Sequence, residues 1–437
     1  MKSNRIDLFS FKTPAMRAFH VTWVSFFLCF FGWFGVAPLM PVIRKELGLT
    51  GEQIGNILIA SVAATVLARL GVGWLCDRFG PRRVYAGLLV LGAIPVMGIG
   101  LARDYESFLV FRFAIGAVGA SFVITQYHTT AMFAPNVVGT ANATAAGWGN
   151  LGGGVTQMVM PLVFAAFMGL GYSSASSWRA AMIVPGSLML VAAVAYLFLT
   201  QDGPNGRYVR PASAPRTSRA FVTALSDSRT WILALAYGAC FGVELTVHNV
   251  AALYFHDHFQ LDVKSAGLVA GTFGVLAIFA RTLGGFAGDR FGKRFGLRGR
   301  VATLALVLAA EGVALVVFSR MSVLPLAVIS LVIFGLFTHM SAGATYAVAP
   351  FVRRDAVGAV TGIVGAGGNA GAVAAGFLFR SSEFTMQTAF LVLGVAVMAS
   401  SALVLLVRFA TTDEQAARFE IARAAATSGE SVATAAE

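Results

Sequence analysis

The sequence predicts an all-α polytopic membrane protein with twelve transmembrane helices in two six-helix halves. Three observations carry that prediction. Of 437 residues, 57% are hydrophobic and 12% charged, with a mean hydropathy of +0.76; a soluble domain is about 25% charged. Twelve apolar runs are near the roughly 20 residues that a membrane span needs. A sixteen-residue stretch also occurs twice. Ala68–Arg83 and Ala280–Phe295 are identical at eight positions, at an offset of 212.

The spans are expected at 19–42, 54–76, 83–101, 107–133, 138–167, 180–200, 231–256, 265–288, 300–319, 323–347, 357–379 and 386–409. The first is too long for the apolar core of a signal peptide and reads as a true span. The longest break follows the sixth. Residues 201–230 hold Gly203-Pro204-Asn205-Gly206, Pro211, Pro215 and scattered arginines, the composition of a linker. The expected organisation is an N-terminal segment 1–18, a first bundle 19–200, the linker 201–230, a second bundle 231–409 and an Ala/Glu/Ser-rich tail 410–437. An even number of spans puts both ends on one side. That side, with the linker and the loops after even-numbered spans, carries 22 Lys and Arg; the other loops carry 7. The positive-inside rule makes the rich side cytoplasmic, in a cell membrane.

A net charge of +12 can signal nucleic acid. Here the positives lie in short loops between spans, so lipid is the expected surroundings and no nucleic-acid partner is expected. Cys29, Cys76 and Cys240 sit in or at the ends of apolar runs without metal-ligand spacing. No P-loop, HExxH or GxSxG signature is present. No enzyme, metal or cofactor is expected, and the chain is expected to be a monomer.

Each copy of the repeated stretch places one arginine, Arg69 or Arg281, inside an apolar run. A charged turn follows eight residues later. If Asp77 and Asp289 mark the membrane boundary, eight residues of helix lift each arginine about 12 Å, close to the roughly 15 Å half-thickness of the hydrocarbon. Snorkelling explains one such arginine; two at matching depth suggest a central cavity with a planar donor fork on each wall. Arg112, near the start of the fourth span, is expected to snorkel.

A second doubled feature is rich in glycine. The fifth span has Val138-Gly139 and then Gly149-Asn150-Leu151-Gly152. The eleventh has Val357-Gly358 and then Gly368-Asn369-Ala370-Gly371. Close helix packing explains many of the glycines. The lone asparagines are expected to donate to an anion while exposed backbone approaches it. In the seventh span Tyr237, Phe241, Glu244 and His248 share one helix face. Glu244 is read as an ion-pair partner or, with His248, as a carrier of a coupling proton. In the fourth span Gln126 and Thr129 continue the face of Phe122. His128 and His339 read as hydrogen-bonded structure.

Six-plus-six parallel repeats describe the major facilitator architecture. Gly73, Asp77, Arg78, Gly80 and Arg82, echoed by Gly285, Asp289, Arg290, Gly292 and Arg294, resemble that superfamily's cytoplasmic gating signature. The run Phe30–Pro41, the stretch Ala145–Gly153 and the stretch Gly365–Asn369 resemble the nitrate/nitrite porter family within it, closest to its assimilatory bacterial and plant branches. The resemblance runs from about Arg17 to the end of the twelfth span. It implies that the anion is held between Arg69 and Arg281. The family's signature asparagines match Asn150 and Asn369, beside Gly149 and Gly368. Its span-7 aromatics match Tyr237 and Phe241, its span-4 phenylalanine fits Phe122, a span-1 phenylalanine fits Phe34, and Tyr346 is offered for the span-10 aromatic.

The expected function is secondary transport of nitrate and nitrite by rocking of the two halves, through nitrate/nitrite exchange or proton symport. Two facing arginines around a monoanion leave a surplus positive charge, which favours exchange unless Glu244 or a histidine compensates. A carrier of another small anion, such as a monocarboxylate, or a nitrate sensor without flux, are the competing readings.

Overall fold

The computed structural model describes residues 2–134, 137–206, 217–411 and 414–415. Among them are twelve helices long and apolar enough to cross a membrane. The first six are α1 (Pro14–Leu47), α2 (Gly51–Phe79), α3 (Pro81–Leu101), α4 (Tyr105–Met132), α5 (Val138–Gly169) and α6 (Ser174–Leu199). The second six are α7 (Ser228–Phe259), α8 (Val263–Phe295), α9 (Leu297–Ser319), α10 (Leu324–Phe351), α11 (Val357–Arg380) and α12 (Met386–Val404). Each overlaps an expected span, although α1 runs five residues beyond it at both ends, α6 starts six residues earlier, α8 ends seven residues later and α12 stops five residues short. In the expected linker, Thr217–Leu225 is helical and residues 207–216 lie outside the described residues. Most of the expected tail, 416–437, also lies outside them.

Short polar residues start the helices where their side chains can satisfy free amides. Thr13 caps α1 ahead of Pro14, and Thr50 forms a reciprocal capping box with Gln53 on α2. Asp104, Ser173, Asp227, Asp262 and Thr385 cap α4, α6, α7, α8 and α12. The α2–α3 and α8–α9 turns each need a glycine, because Gly80 has φ +82° and Gly296 has φ +71°.

The two copies of the repeated stretch differ here. Asp77 and Arg78 end α2 just before Gly80. In the second copy the helix continues through Gly292 to Phe295, so this charged stretch is helical rather than a turn. Gly292 makes room for Arg300: a Cβ there would stand 2.7 Å from the Arg300 Nε. Arg300 in turn pairs with Asp289 at 2.8 Å and donates to the Ala347 carbonyl at 2.8 Å.

Within each half the third and sixth helices pack together, α3 on α6 and α9 on α12. The halves meet through α2 on α11 and α5 on α8, the arrangement that pseudo-symmetry demands. α1 and α7 are the most enclosed helices. Small residues permit the close crossings. Cβ atoms built on Gly154 and Gly274 would strike each other's backbones at 2.6 and 2.4 Å, and one on Gly55 would strike Arg380 at 2.3 Å.

Among the described residues, ion pairs join the halves at the end away from Asp77 and Asp289. Arg44 grips Asp257 through two bonds of 2.5 and 2.7 Å, and Arg380 reaches Glu52 at 2.7 Å. Asp77 accepts from the Tyr127 hydroxyl at 3.1 Å, and Asp289 pairs with Arg300.

Candidate functional site

The two doubled motifs meet crosswise. Arg69 of α2 donates from Nη1 to the Gly365 carbonyl of α11 at 3.0 Å. Arg281 of α8 faces the Asn150 amide of α5. With its oxygen turned to the guanidinium, Asn150 accepts from Nη2 at 2.9 Å and from Nη1 and Nε at 3.2 Å. Each arginine thus reaches the glycine-rich stretch of the opposite half. Asn150 faces its arginine as an acceptor. Asn369 donates to the Gly365 carbonyl at 3.3 Å, while its buried oxygen has no partner among the described residues.

Aromatic rings connect the two arginines. Arg69 lies 5.6 Å over the Phe122 ring, and Arg281 lies 5.5 Å over Phe241, distances at which ring faces attract cations. Tyr237 stacks on Phe241 with centroids 5.1 Å apart and planes 13° apart. Tyr346 meets Tyr237 edge-on at 5.1 Å. The Tyr346 hydroxyl would be 3.3 Å from a Cβ on Gly365, and Arg69 Nη1 would be 3.6 Å from it. The sequence-predicted residues Arg69, Arg281, Asn150, Asn369, Tyr237, Phe241 and Phe122 therefore form one contiguous group, with Tyr346 among them.

Gly149 and Gly368 serve ring packing. A Cβ on Gly149 would fall 1.8 Å from Phe26 Cδ1, and one on Gly368 would fall 2.6 Å from Phe241 and 2.8 Å from Tyr237. Phe26, fully buried, meets Phe122 at 5.8 Å. On α1, Phe26 is the phenylalanine beside this group. Phe34 stacks on Trp33 at 5.0 Å and lies 5.1 Å from His248 instead. Sequence reasoning misses Phe26 because α1 is enclosed on all sides, so periodicity cannot say which ring faces the site.

Two breaks in helix geometry shape the site. A π-helical turn, Gly238–Gly242, lies between Tyr237 and Val243 in α7, a device frequent at functional sites. In α8 a 3₁₀ turn, Leu276–Ile278, precedes a fresh helical segment that opens at Ala280. Arg281 is its second residue, so the positive end of that segment lies beside the guanidinium.

Glu244 of α7 is fully buried and accepts from Arg281 Nη2 at 2.6 Å. His248 lies one turn further along. Neither of its ring nitrogens has a partner among the described residues, and its ring is held between Phe34 and Phe273. His128 is tied into structure, Nδ1 to the Tyr196 hydroxyl at 2.5 Å and Nε2 to the Gln201 carbonyl at 2.8 Å.

Arg112 corrects an expectation. It is 1% exposed and does not snorkel. Its guanidinium donates to the Trp33 carbonyl at 2.7 Å and to the Asn249 side-chain oxygen of α7 at 2.8 Å. Those two acceptors replace the water that snorkelling would have reached.

Of the remaining signature residues, Arg78 lies over the Trp74 and Phe79 rings, and Arg294 over Phe295. Arg82 is anchored through its amide to Asp202 at 2.9 Å and through its guanidinium to the Leu197 carbonyl. Arg290 is exposed. Cβ atoms on Gly73 and Gly285 would have only one neighbour each, 4.0 Å away.

Twelve membrane-length helices in two pseudo-symmetric halves, with a buried charged site between them, define a polytopic membrane transporter. The chain belongs to the Major Facilitator Superfamily, whose family model matches residues 22–295 and 237–430, and within it to the family of the nitrate transporters it resembles. It is 41% identical over 414 residues to the high affinity nitrate transporter 2.5 of Arabidopsis thaliana, an alignment covering 93% of this chain and 82% of the relative. It is 39% identical to the high-affinity nitrate transporter 2.3 of Oryza sativa subsp. japonica, covering 94% and 81%. It is 28% identical to the nitrate/nitrite transporter NrtP of Nostoc punctiforme, covering 90% and 91%. Two solved structures share the fold. A bacterial homolog of the human lysosomal transporter Spinster, inward-facing and unoccupied, has a TM-score of 0.69 at 16% identity, covering 94% of this chain and 98% of that one. A mutant form of the nucleoside transporter NupG has a TM-score of 0.64 at 16% identity, covering 89% and 98%.

Proposed function

We propose that this protein carries nitrate, and nitrite with it, across the cytoplasmic membrane by alternating access, binding the anion between Arg69 and Arg281. One observation carries the reading. Each arginine reaches across to the glycine-rich stretch of the other half, so an anion between them closes on both halves at once. Guanidinium forks suit a flat oxyanion. Phe122, Tyr237 and Phe241 supply faces that exclude water and strengthen the ionic contacts. Asn150, Asn369 and the backbone beside them complete the donor and acceptor set.

The positive-inside bias supports cytoplasmic ends and a cytoplasmic signature face. On that orientation, Arg44–Asp257 and Glu52–Arg380 clasp the outer side, which supports an inward-facing posture. The residues Gly73, Asp77, Arg78, Gly80 and Arg82 and the second set Gly285, Asp289, Arg290, Gly292 and Arg294 then act at the cytoplasmic gate. The bundles span 19–200 and 231–409 and rock about the linker between them. The protein works as a monomer, without a cofactor and without catalysis.

Purified protein in liposomes tests this directly. Labelled nitrate enters, internal nitrite accelerates the entry, and external nitrite competes while lactate does not. Competition by lactate alone would overturn the substrate assignment in favour of a monocarboxylate carrier. Nitrate binding without flux would make the protein a sensor.

A further inference from the structure

Next to Arg281 is a second buried contact that nitrate recognition leaves unused. His339 of α10 is fully buried. Its Nε2 lies 3.1 Å from the Phe273 carbonyl of α8. A carbonyl only accepts, so Nε2 must carry the hydrogen. A neutral ring in that tautomer presents a bare lone pair at Nδ1, and Nδ1 faces Glu244 Oε2 at 3.4 Å. Two lone pairs in a dry interior repel. One added proton, as N–H on Nδ1 or O–H on Oε2, turns the same contact into a hydrogen bond. The same Oε2 already accepts from Arg281 Nη2 at 2.6 Å.

We propose that Glu244 and His339 form a one-proton site that couples proton entry to nitrate by releasing Arg281. This rests on the nitrate-transport reading above. Without the proton, the Glu244 carboxylate competes with nitrate for the Arg281 fork. With it, Glu244 loses its charge or shares it with an imidazolium, its hold on Arg281 weakens, and the guanidinium is free for the anion. When the proton leaves on the cytoplasmic side, the N–H or O–H bond breaks and the carboxylate recaptures Arg281. Nitrate is thereby displaced toward the same side. Proton and nitrate each make the other's binding more favourable, as reciprocal linkage requires.

The surroundings favour this pair over its neighbours. Cys240 and His248 flank Glu244 on α7, Arg281 faces it from α8, and Glu311 faces the group from α9. His248 has no acceptor or donor within reach on either nitrogen among the described residues. Glu311 has the Ser341 and Thr338 hydroxyls beside it but no cation among the described residues. His339 is the histidine whose hydrogen is already committed on one side while a carboxylate faces the other.

Proteoliposomes loaded with a pH-sensitive dye test the proposal. In the native protein an inward nitrate gradient acidifies the lumen, and an imposed inward pH gradient drives labelled nitrate uphill. In His339→Gln the uphill accumulation falls on the order of tenfold, while nitrate/nitrite exchange continues. A variant that accumulates nitrate as the native protein does would overturn the pairing. Should that variant fail to fold, calorimetry on the native protein decides. Nitrate binding, titrated at pH 5–8 in buffers of different ionisation heat, takes up protons if the pair exists. Zero uptake across that range overturns it. Exchange with no proton movement in the native protein would sink only the proton site, whereas loss of both exchange and binding would sink the nitrate reading itself.

Discussion

Arg69 donates from Nη1 to the carbonyl of Gly365 at 3.0 Å, a bond that crosses from the first half of the molecule to the second. In the proposed site the arginine does two things with one planar group, reading the anion and the opposing half. An ammonium has no fork to divide between them. Arg69→Lys and Arg281→Lys should each lower nitrate uptake in liposomes by at least about 10–100-fold, the value of one hydrogen bond to a charged group. Near-native uptake in either variant would rule out the two-fork site.

The two classes of glycine in the doubled stretches can be separated by experiment. Gly149→Ala and Gly368→Ala push a methyl into Phe26 and into the Tyr237–Phe241 stack, at 1.8 and 2.6 Å. Overpacking of that kind costs about 1–3 kcal/mol, so both variants should melt earlier in detergent and bind nitrate more weakly. Gly139→Ala and Gly358→Ala meet nothing within 4 Å and should leave melting and transport unchanged. Equal effects in the two pairs would show that the ring contacts are not what these glycines serve.

Much of this arrangement is legible in the sequence, for definite reasons. A span declares itself by length, and a charge within it stands out against apolar neighbours, so the twelve helices and the paired arginines are readable directly. Other features depend on packing that no local pattern encodes. The π turn at Gly238–Gly242 leaves no mark in the apolar pattern of α7. Phe26 and Phe34 are equivalent in sequence, and only the crossing of α1 with α5 puts Phe26 at the site. Gly80 and Gly292 occupy matching places in the repeat, yet one is a positive-φ turn and the other is helical space for Arg300. Arg112 reads as a snorkelling residue in sequence because its acceptors, the Trp33 carbonyl and Asn249, lie far away along the chain.

Those acceptors make Arg112 a structural tie between the halves. Arg112→Ala leaves a buried carbonyl and a buried amide oxygen each short of a partner, at about 1–3 kcal/mol apiece. Thermal unfolding in detergent should show a clear drop in Tm. The nitrate dissociation constant of the folded fraction should stay within a few-fold of native, because none of the nitrate-site contacts described above involves Arg112. A large affinity loss at unchanged Tm would instead place Arg112 in the binding site.

The clasp at the other end of the bundle makes a conformational prediction. Arg44 and Asp257 are joined by two bonds, with side chains 32% and 30% exposed. Arg380 donates from Nε and Nη2 to one Glu52 oxygen, with side chains 42% and 57% exposed. Partly solvated pairs contribute about 0.2–1 kcal/mol, which cannot hold a fold together but can shift two states of similar energy by a few-fold. Asp257→Arg places two arginines together and should favour opening at this end. Spin labels or fluorophores on the loops there would report a longer mean distance. Adding Arg44→Asp restores the pair with reversed polarity and should return the distance toward native. The corresponding change at Glu52 and Arg380 should be smaller, because more of that pair is in water. If the single and double variants at Arg44 and Asp257 open equally, the clasp is incidental to the closed end, and the glycine crossings of α2 with α11 and α5 with α8 hold it instead.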